Sequence, residues 1–254
     1  MDFLIIIIAI VLIIIGFSRM KKSNKNTSTN NSGKKQVVTK TIKKEVALQP
    51  VKNKSTFKPI ALILDTETTG LINDNSIRVT KQNVIDHSDN FPRIVQLAFM
   101  LVDINGNYDG ETFYIKQKED IPKQAIKIHG ITNEKCEKEG VELEKALSAL
   151  TVASTKVDDI VGHNIAFDYK VLHAEFVKAG IPFSLKKKNK VDTMNLTGKQ
   201  LGHKYGFKIS LYNSADKLFG NKKEWQALKP NLKEHNAESD IIVTALIYNM
   251  LNGK

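Results

Sequence analysis

Hydrophobic and polar positions divide the 254-residue chain into three stretches of different character. An almost unbroken apolar run extends from Phe3 to Phe17 and is followed at once by basic residues. Residues 21–57 are rich in Lys, Asn, Ser and Thr, and from residue 58 onward apolar runs of strand and helix spacing alternate with turn signals. The pattern predicts a membrane anchor at 1–20, a disordered basic linker at 21–57 and a folded domain at 58–254.

The N-terminal apolar run predicts one membrane-spanning helix that is not cleaved. Phe3–Phe17 would cover only about 22 Å at ~1.5 Å per residue, so residues 1–20 must all contribute to cross a bilayer core of about 30 Å. A cleaved signal peptide is an alternative, but no basic segment precedes the run and no small-x-small cleavage site follows it. A buried core helix is a third alternative, although the run has no polar face. The lysines after the run place the domain on the cytoplasmic side by the positive-inside rule.

Positive charge is concentrated near the N-terminus. The chain has 38 Lys+Arg against 27 Asp+Glu, a net charge of +11. Residues 1–56 hold 11 of these basic residues and only Asp2 and Glu45, which leaves the domain a surplus of two. The linker lysines either contact anionic headgroups or merely keep the linker soluble. Within the domain, Lys186–Lys188 and Lys190 form a basic cluster that either contacts phosphates or belongs to a solvated loop.

The domain is predicted to contain strands first and then strands that alternate with helices. The predicted strands are Ala61–Glu67, Arg93–Asp103, Glu111–Lys116, Asp159–Gly162 and Val191–Met194. The predicted helices are Pro122–Ile128, Val141–Val152, Ile165–Ala179, Leu196–Tyr205, Leu211–Phe219 and Ala237–Leu251. Asn105-Gly106 is a hairpin turn signal between the second and third strands. This order indicates an α/β domain with a mixed sheet.

Two carboxylates stand at the end of the first predicted strand. The apolar run Ala61–Leu64 leads into Asp65-Thr66-Glu67-Thr68-Thr69-Gly70, and period-two alternation puts Asp65 and Glu67 on one face. Because two negative charges this close repel each other, one must be protonated, turn to solvent or share a cation. The pair indicates half of a divalent-metal site, with two solvated acids at a strand end as the alternative.

Two further aspartates are placed alike in the sequence. Asp168 and Asp240 each follow an asparagine suited to an N-cap, Asn164 and Asn236, by four residues. Each carboxylate would project from about the first turn of a helix, where acids are also common without any metal. Together with the strand pair they make an oxygen-only set suited to two Mg²⁺ or Mn²⁺ ions, namely Asp65, Glu67, Asp168 and Asp240.

Three short segments of the chain carry a resemblance to a known family. LDTETTG, HNIAFD and HNAESD, in this order, resemble the three motifs of the DEDDh exonucleases, the DnaQ-like branch of the RNase H-like superfamily that includes polymerase proofreading subunits. Residues 128–132, IHGIT, resemble a further element between the first two motifs. The resemblance covers 58–254. It implies an RNase H-like fold with a central five-stranded mixed sheet flanked by helices, two divalent ions, and 3′→5′ hydrolysis that releases nucleoside 5′-monophosphates.

The resemblance also implies a role for each residue. Asp65 would bridge both ions. Glu67 and Asp240 would complete the ion that binds the nucleophilic water, and Asp168 would hold the other ion. His235 is the candidate general base, because a neutral imidazole can accept the water's proton near pH 7. Six residues would hold the terminal nucleotide, the last of which fits a core position equally well: Thr66, Thr68, Leu71, His129, His163 and Phe167.

The expected function is that of a membrane-anchored, divalent-metal-dependent 3′→5′ exonuclease acting on single-stranded 3′ ends of DNA or RNA. Between the first two strands, Leu71–Pro92 forms a polar insertion that flanks the site and could cover the substrate, restrict it to single strands or recruit a partner. The choice between DNA and RNA therefore stays open. The alternative function is that of a non-catalytic module that binds nucleic-acid ends at the membrane, although such a module has no need of four acids and a histidine.

Overall fold

The computed structural model describes residues 48–252. The predicted anchor at 1–20 and residues 21–47 of the predicted linker lie outside this range. Within residues 48–252, no helix combines the length and the apolar character needed to cross a bilayer. Within the described range, residues 48–220 and 232–252 form one compact unit, and Asn221–Asn231 belongs to a second.

The first unit is built on a mixed sheet, which agrees with the predicted α/β class. Its strands in chain order are β1 (Gln49–Pro50), β2 (Pro59–Thr68), β3 (Ile94–Asp103), β4 (Asn107–Tyr114), β5 (Asp159–Gly162) and β6 (Asn189–Asp192). Their order across the sheet is β1-β4-β3-β2-β5-β6. The strands β2, β3 and β4 pair antiparallel, whereas β5 runs parallel to both β2 and β6.

The prediction of five strands is wrong by one. Gln49 and Pro50 lie inside the predicted linker, but they pair in parallel with Asn107 and Tyr108 at the edge of the sheet. The sequence carries no signal for this strand, because two residues are too few to show a hydrophobic period. Strand β4 also begins earlier than predicted, directly after the turn at Gly106, which has φ +80°.

Nine α-helices lie within residues 48–252. They are α1 (Lys81–Asp86), α2 (Lys123–His129), α3 (Asn133–Glu139), α4 (Leu143–Ser154), α5 (Ile165–Lys178), α6 (Thr193–Gln200), α7 (Leu211–Phe219), α8 (Lys223–Leu228) and α9 (Ala237–Asn252). Residues 88–90 and 229–231 form 3₁₀ turns. Helices α1, α3 and α8 were not predicted from the sequence, because six or seven residues do not complete the two turns that reveal a helical period. Helix α2 is equally short but was predicted, because Gly130 marks its C-terminal end.

The region around 189–205 corrects two predicted boundaries. The strand predicted at Val191–Met194 is Asn189–Asp192, and the helix predicted at Leu196–Tyr205 is Thr193–Gln200. The helix begins early because the side chain of Asp192 accepts a hydrogen bond from the N–H of Met194. Residues 201–210 therefore form a loop.

Alternation along β2 places its side chains on two faces of the sheet. Leu62 and Leu64 belong to the main core, which they share with residues of α4 and α5. Asp65 and Glu67 therefore point to the opposite face, where α9 packs against β2 and β3. Since β2 and β5 are parallel neighbours, their carboxyl ends lie side by side at the same end of the sheet.

The insertion Leu71–Pro92 packs beside α5. Val84 and Phe91 form a small buried cluster with Ala174 of that helix. The insertion is thus packed against the helix that carries Asp168, and it contains the short helix α1.

Candidate active site

Three of the predicted catalytic residues meet where β2 ends and α9 begins. Glu67, His235 and Asp240 each offer one ligand atom, and these atoms lie within 4.8 Å of one another. Glu67 and Asp240 are buried, whereas His235 is exposed. The start of α9 is fixed as predicted, because Asn236 Oδ1 accepts a hydrogen bond from the N–H of Ser239 at 3.2 Å. The pairing of β2 with β3 shifts register between Glu67 and Thr68, which changes the direction of the strand at its end.

Asp168 reaches the same strand from α5. Its Oδ1 accepts two hydrogen bonds from Thr66, at 3.0 Å from the backbone N–H and at 2.7 Å from the hydroxyl. Asn164 occupies the predicted N-cap position, but its φ is +68° and its side chain makes no capping hydrogen bond. Its backbone N–H instead donates to Asp192 Oδ1 at 3.0 Å, which links the start of α5 to the end of β6.

Burial raises the pKa of all four carboxylates, and the charge of neighbouring acids adds to the rise. The pKa of Asp65 lies well above its ordinary value, first because of burial and then because of the other three carboxylates. Burial raises the pKa of Glu67 to about 7, with Asp168 adding to the rise and Lys233 opposing it. Burial likewise raises the pKa of Asp168 to about 7 and that of Asp240 to about 8. The four groups therefore form one electrostatic cluster.

This cluster fits a divalent cation. Asp240 Oδ1 is buried and has no hydrogen-bond partner within residues 48–252. Lys233 supplies one positive charge near Glu67, whose pKa it lowers. Carboxylate oxygens with one exposed imidazole are ligands for hard or borderline divalent ions, and such an ion would remove the repulsion that raises the pKa values. Asp65, Glu67, Asp168 and Asp240 are therefore suited to hold metal together.

We expect the protein in the presence of a chelator to lose stability as the pH rises from about 4 to about 8. Over most of this range Glu67, Asp168 and Asp240 keep protons in the folded chain that they lose in the unfolded chain, so raising the pH favours unfolding. For Glu67 alone, a folded pKa of about 7 against an ordinary 4.5 corresponds to about 3 kcal/mol. Thermal unfolding measured across this range, with and without Mg²⁺, checks the expectation.

The control for this experiment is Asp240→Asn, which should flatten the pH dependence in chelator. Mg²⁺ should raise the melting temperature of the unmodified chain most at pH 8, where the acids are ionised. A melting temperature in chelator that rises between pH 4 and pH 8 would contradict the electrostatic assignment.

The residues predicted to hold the terminal nucleotide differ in their surroundings. Leu71 is 78% exposed and lies three residues after the end of β2. Thr66 and Thr68 are buried, and the Thr68 hydroxyl donates to the carbonyl of Gly70 at 2.6 Å. Phe167 is half-buried and packs against the main core, which agrees with the core position that the sequence left open. Of these four, Leu71 offers the largest apolar surface to a ligand.

The two predicted pocket histidines differ: both ring nitrogens of His163 have partners, whereas Nε2 of His129 is buried and has none within residues 48–252. His129 is only 2% exposed, and its Nδ1 accepts a hydrogen bond from the N–H of Ile131 at 2.9 Å. His163 Nδ1 lies 3.0 Å from Thr193 Oγ1, and its Nε2 lies 2.8 Å from the carbonyl oxygen of Ile209. Burial lowers the pKa of both rings. The contacts of His163 connect the second motif to the loop 201–210.

Three residues around the site were not predicted from the sequence. Lys233 Nζ donates to the carbonyl of His129 at 3.1 Å and lowers the pKa of Glu67. The Tyr212 hydroxyl lies beside Asp240 and opposes the rise of its pKa. Gln96 is fully buried in β3, and its Oε1 accepts a hydrogen bond from the N–H at the start of α9. Only Gln96 could have been found from the sequence, because it is the one polar residue inside an apolar strand. Lys233 and Tyr212 have partners that are distant in sequence.

The basic cluster at 186–190 is partly occupied by structural contacts. Lys188 Nζ donates to the carbonyl of Val157 at 2.6 Å, and Lys190 Nζ lies 4.4 Å from the centre of the Tyr169 ring. Two of its four lysines thus contact the protein itself, which favours the structural interpretation for these two.

Comparison with known proteins identifies the family. The sequence matches the model of the RNase T exonuclease family over residues 62–248. A DNA polymerase III of the PolC type from Mycoplasmopsis pulmonis is 29% identical over 135 residues, which are 53% of this chain and 8% of that protein. The chain thus spans a small part of this relative.

Two solved structures show the same fold. Exonuclease X in complex with 5′ overhanging duplex DNA is similar with a TM-score of 0.50 and 22% identity, over 76% of this chain and 92% of that one. E. coli Exonuclease I in complex with a dT13 oligonucleotide is similar with a TM-score of 0.56 and 17% identity, over 76% of this chain and 40% of that one. At these identities the likeness shows the fold alone.

Proposed function

Since the chain belongs to the RNase T exonuclease family, in the DnaQ-like branch with an RNase H-like fold, we propose that it removes nucleotides from the 3′ ends of single-stranded DNA by metal-dependent hydrolysis. One observation carries the proposal: four carboxylates from β2, α5 and α9 form one electrostatic cluster beside an exposed histidine. Structural acids are normally paired with cations or hydrogen-bond donors, whereas this cluster is held together against its own repulsion.

The chemistry is divided between the metal and the protein. Two divalent ions, Mg²⁺ or Mn²⁺, held by the four acids would supply Lewis-acid stabilisation of the charge that develops on the phosphate. His235 accepts a proton from the attacking water, because its ring lies beside Glu67 and Asp240 yet is open to solvent. The water attacks phosphorus, the 3′ oxygen of the preceding nucleotide leaves, and a nucleoside 5′-monophosphate is released.

The 3′ end would be recognised beside the end of β2. Leu71 is exposed and lies four residues after Glu67 in the chain, so it can contact the face of the terminal base. An apolar contact of this kind does not read sequence, because every base has a π-face. The insertion that begins at Leu71 packs on α5, the helix that carries Asp168. A packed segment on this helix would leave less room for a duplex than for a single strand.

DNA is proposed over RNA because of the named relatives. The curated relative is a DNA polymerase, and the two solved structures contain DNA. The test is digestion of DNA and RNA 12-mers of the same sequence, together with a DNA 12-mer that ends in one ribonucleotide. We expect DNA to be shortened faster than RNA. Faster digestion of RNA would contradict the choice of sugar while leaving the reaction intact.

The proposal includes a membrane anchor at residues 1–20, with a single span and the catalytic domain on the cytoplasmic side. Its support is the apolar run that precedes a cluster of basic residues in the sequence. Residues 21–47 would then separate the domain from the bilayer as a flexible tether. Such a position suits degradation of nucleic acid near the inner face of the membrane.

Deleting residues 1–20 is expected to move the protein from the membrane fraction to the soluble fraction without changing its rate on short oligonucleotides. The anchor contributes hydrophobic length but no residue of the site. Membrane fractionation of the two forms, followed by a rate measurement on each, checks this. A full-length protein found in the soluble fraction would refute the anchor.

A further inference from the structure

Residues 201–210 (the aromatic loop) join α6 to α7 and hold an aromatic ring in solvent. Tyr205, near the middle of the loop, is 94% exposed. Tyrosine is enriched at interfaces because its ring is apolar and its hydroxyl is polar, so this exposed ring is available to contact a ligand.

The loop is braced so that Tyr205 points outward. The rings of His203 and Phe207 stack with centroids 3.7 Å apart and planes 10° from parallel, which connects the two sides of the loop on either side of Tyr205 in the chain. The Phe207 side chain in turn lies over Gly198 of α6, where an added Cβ would come within 3.5 Å of it. Gly202 and Gly206, at φ +78° and +86°, make the tight bends on either side. The exposure of Tyr205 is thus built into the loop.

The surroundings of Tyr205 are positively charged. No Asp or Glu occurs from Thr193 to Ala215, a stretch that contains Lys199, Lys204 and Lys208. All three lysines are exposed. Exposed lysines flanking an exposed aromatic ring are the combination that binds single-stranded nucleic acid, through phosphate contacts and base stacking.

The aromatic loop adjoins the acidic cluster at its C-terminal end. The carbonyl of Ile209 accepts the hydrogen bond from His163 Nε2 at 2.8 Å, and His163 precedes the helix that carries Asp168. Three residues further on, Tyr212 lies beside Asp240. Tyr205 is four residues from Ile209, at most about 14 Å of extended chain. That reach equals roughly four stacked nucleotides at ~3.4 Å each.

We propose that the aromatic loop is a second binding subsite for the single strand, a few nucleotides before its 3′ end. Tyr205 stacks on a base, and Lys204 and Lys208 contact the adjacent phosphates. The loop adds affinity for strands long enough to reach it and takes no part in the chemical step. This inference rests on the proposed function for the nature of the ligand.

The test is binding of a fluorescent single-stranded DNA 12-mer to the full-length chain in detergent micelles. Ca²⁺ replaces Mg²⁺ so that binding is measured without hydrolysis. Ca²⁺ binds carboxylate oxygens but does not impose the octahedral geometry of Mg²⁺. Tyr205→Ala should weaken binding about tenfold, and Tyr205→Phe should bind as the unmodified chain does. The double variant Lys204→Ala/Lys208→Ala should reduce the dependence of log affinity on log salt by about 1.4, since each phosphate contact on a single strand contributes about 0.7.

The matched control is Lys156→Ala. Lys156 is exposed and precedes β5, so it lies at the opposite end of that strand from the acidic cluster. This variant should bind the 12-mer normally. Equal affinity of Tyr205→Ala and the unmodified chain, or an equal loss in the Lys156 variant, would overturn the proposal.

A dinucleotide substrate distinguishes the contribution of the subsite from that of the catalytic centre, because it is too short to reach Tyr205. With Mg²⁺, Tyr205→Ala should hydrolyse a dinucleotide at the unmodified rate while its KM for the 12-mer rises. A parallel loss on both substrates would overturn the placement of the loop away from the reacting phosphate. If the unmodified chain binds the 12-mer through Tyr205 but hydrolyses nothing, the loop proposal stands and the proposed catalytic function fails.

Discussion

Replacing Asp65 by asparagine is expected to lower the rate of hydrolysis by at least about 10²–10³-fold without unfolding the protein. Asp65 interacts with all three other carboxylates of the cluster, so its loss affects every ligand set that the site can form. The substitution keeps the size of the side chain and removes its charge. Oligonucleotide digestion measures the loss, and circular dichroism measures the fold.

The same substitution should stabilise the protein in chelator at pH 8. Asp65 is ionised there only at the cost of burial and repulsion, and asparagine avoids both. The rise in melting temperature caused by Mg²⁺ should shrink in parallel. Asp109→Asn is the control, because Asp109 forms a surface ion pair with Lys54 at 3.4 Å and lies on β4. Activity retained in the Asp65 variant would exclude this residue as a metal ligand.

Replacing His235 by alanine is expected to lower the turnover rate by about 10²–10⁴-fold, which is the usual effect of losing a general base. The backbone at His235 is left-handed, with φ +57°, which is uncommon outside glycine. This conformation presents the ring beside Glu67 and Asp240 while keeping it exposed. The measurement is single-turnover hydrolysis of a short oligonucleotide, which separates the chemical step from product release.

Metal-induced stabilisation distinguishes two roles for His235. Its ring lies within 4.8 Å of the carboxylates and is therefore placed to accept a proton or to bind an ion. If it acts as the base, the His235 variant keeps the Mg²⁺-dependent rise in melting temperature; a lost rise would make it a ligand. His87→Ala, an exposed histidine in the insertion, should change neither the rate nor the melting temperature.

Local sequence patterns predicted the elements that carry the acids. The strand that ends in Asp65 and Glu67 is one continuous apolar run, and the helix starts before Asp168 and Asp240 follow asparagines. These features depend on residues within one or two turns of each other, so periodicity and turn chemistry are sufficient to place them. The helix α3 depends instead on tertiary packing, because Cys136 is buried among residues of other elements.

Contacts between distant residues could not be predicted from the sequence. Lys233 and the carbonyl of His129 are 104 residues apart, and nothing near Lys233 in the sequence marks that contact. His163 was assigned to the base pocket, yet its ring nitrogens contact Thr193 and Ile209. The exposure of Tyr205 was hidden because a helix was predicted through residue 205, whereas the chain leaves the helix after Gln200.

The most direct test of the account is digestion of a 5′-labelled single-stranded DNA by the purified full-length protein, with Mg²⁺, with Mn²⁺ and with chelator. The same strand with a 3′ phosphate and the Asp65→Asn variant serve as controls. The account predicts a ladder that shortens from the 3′ end, nucleoside 5′-monophosphates as products, and no cleavage in chelator or by the variant. Internal cleavage, cleavage in chelator, or tight binding of ends without any hydrolysis would contradict it.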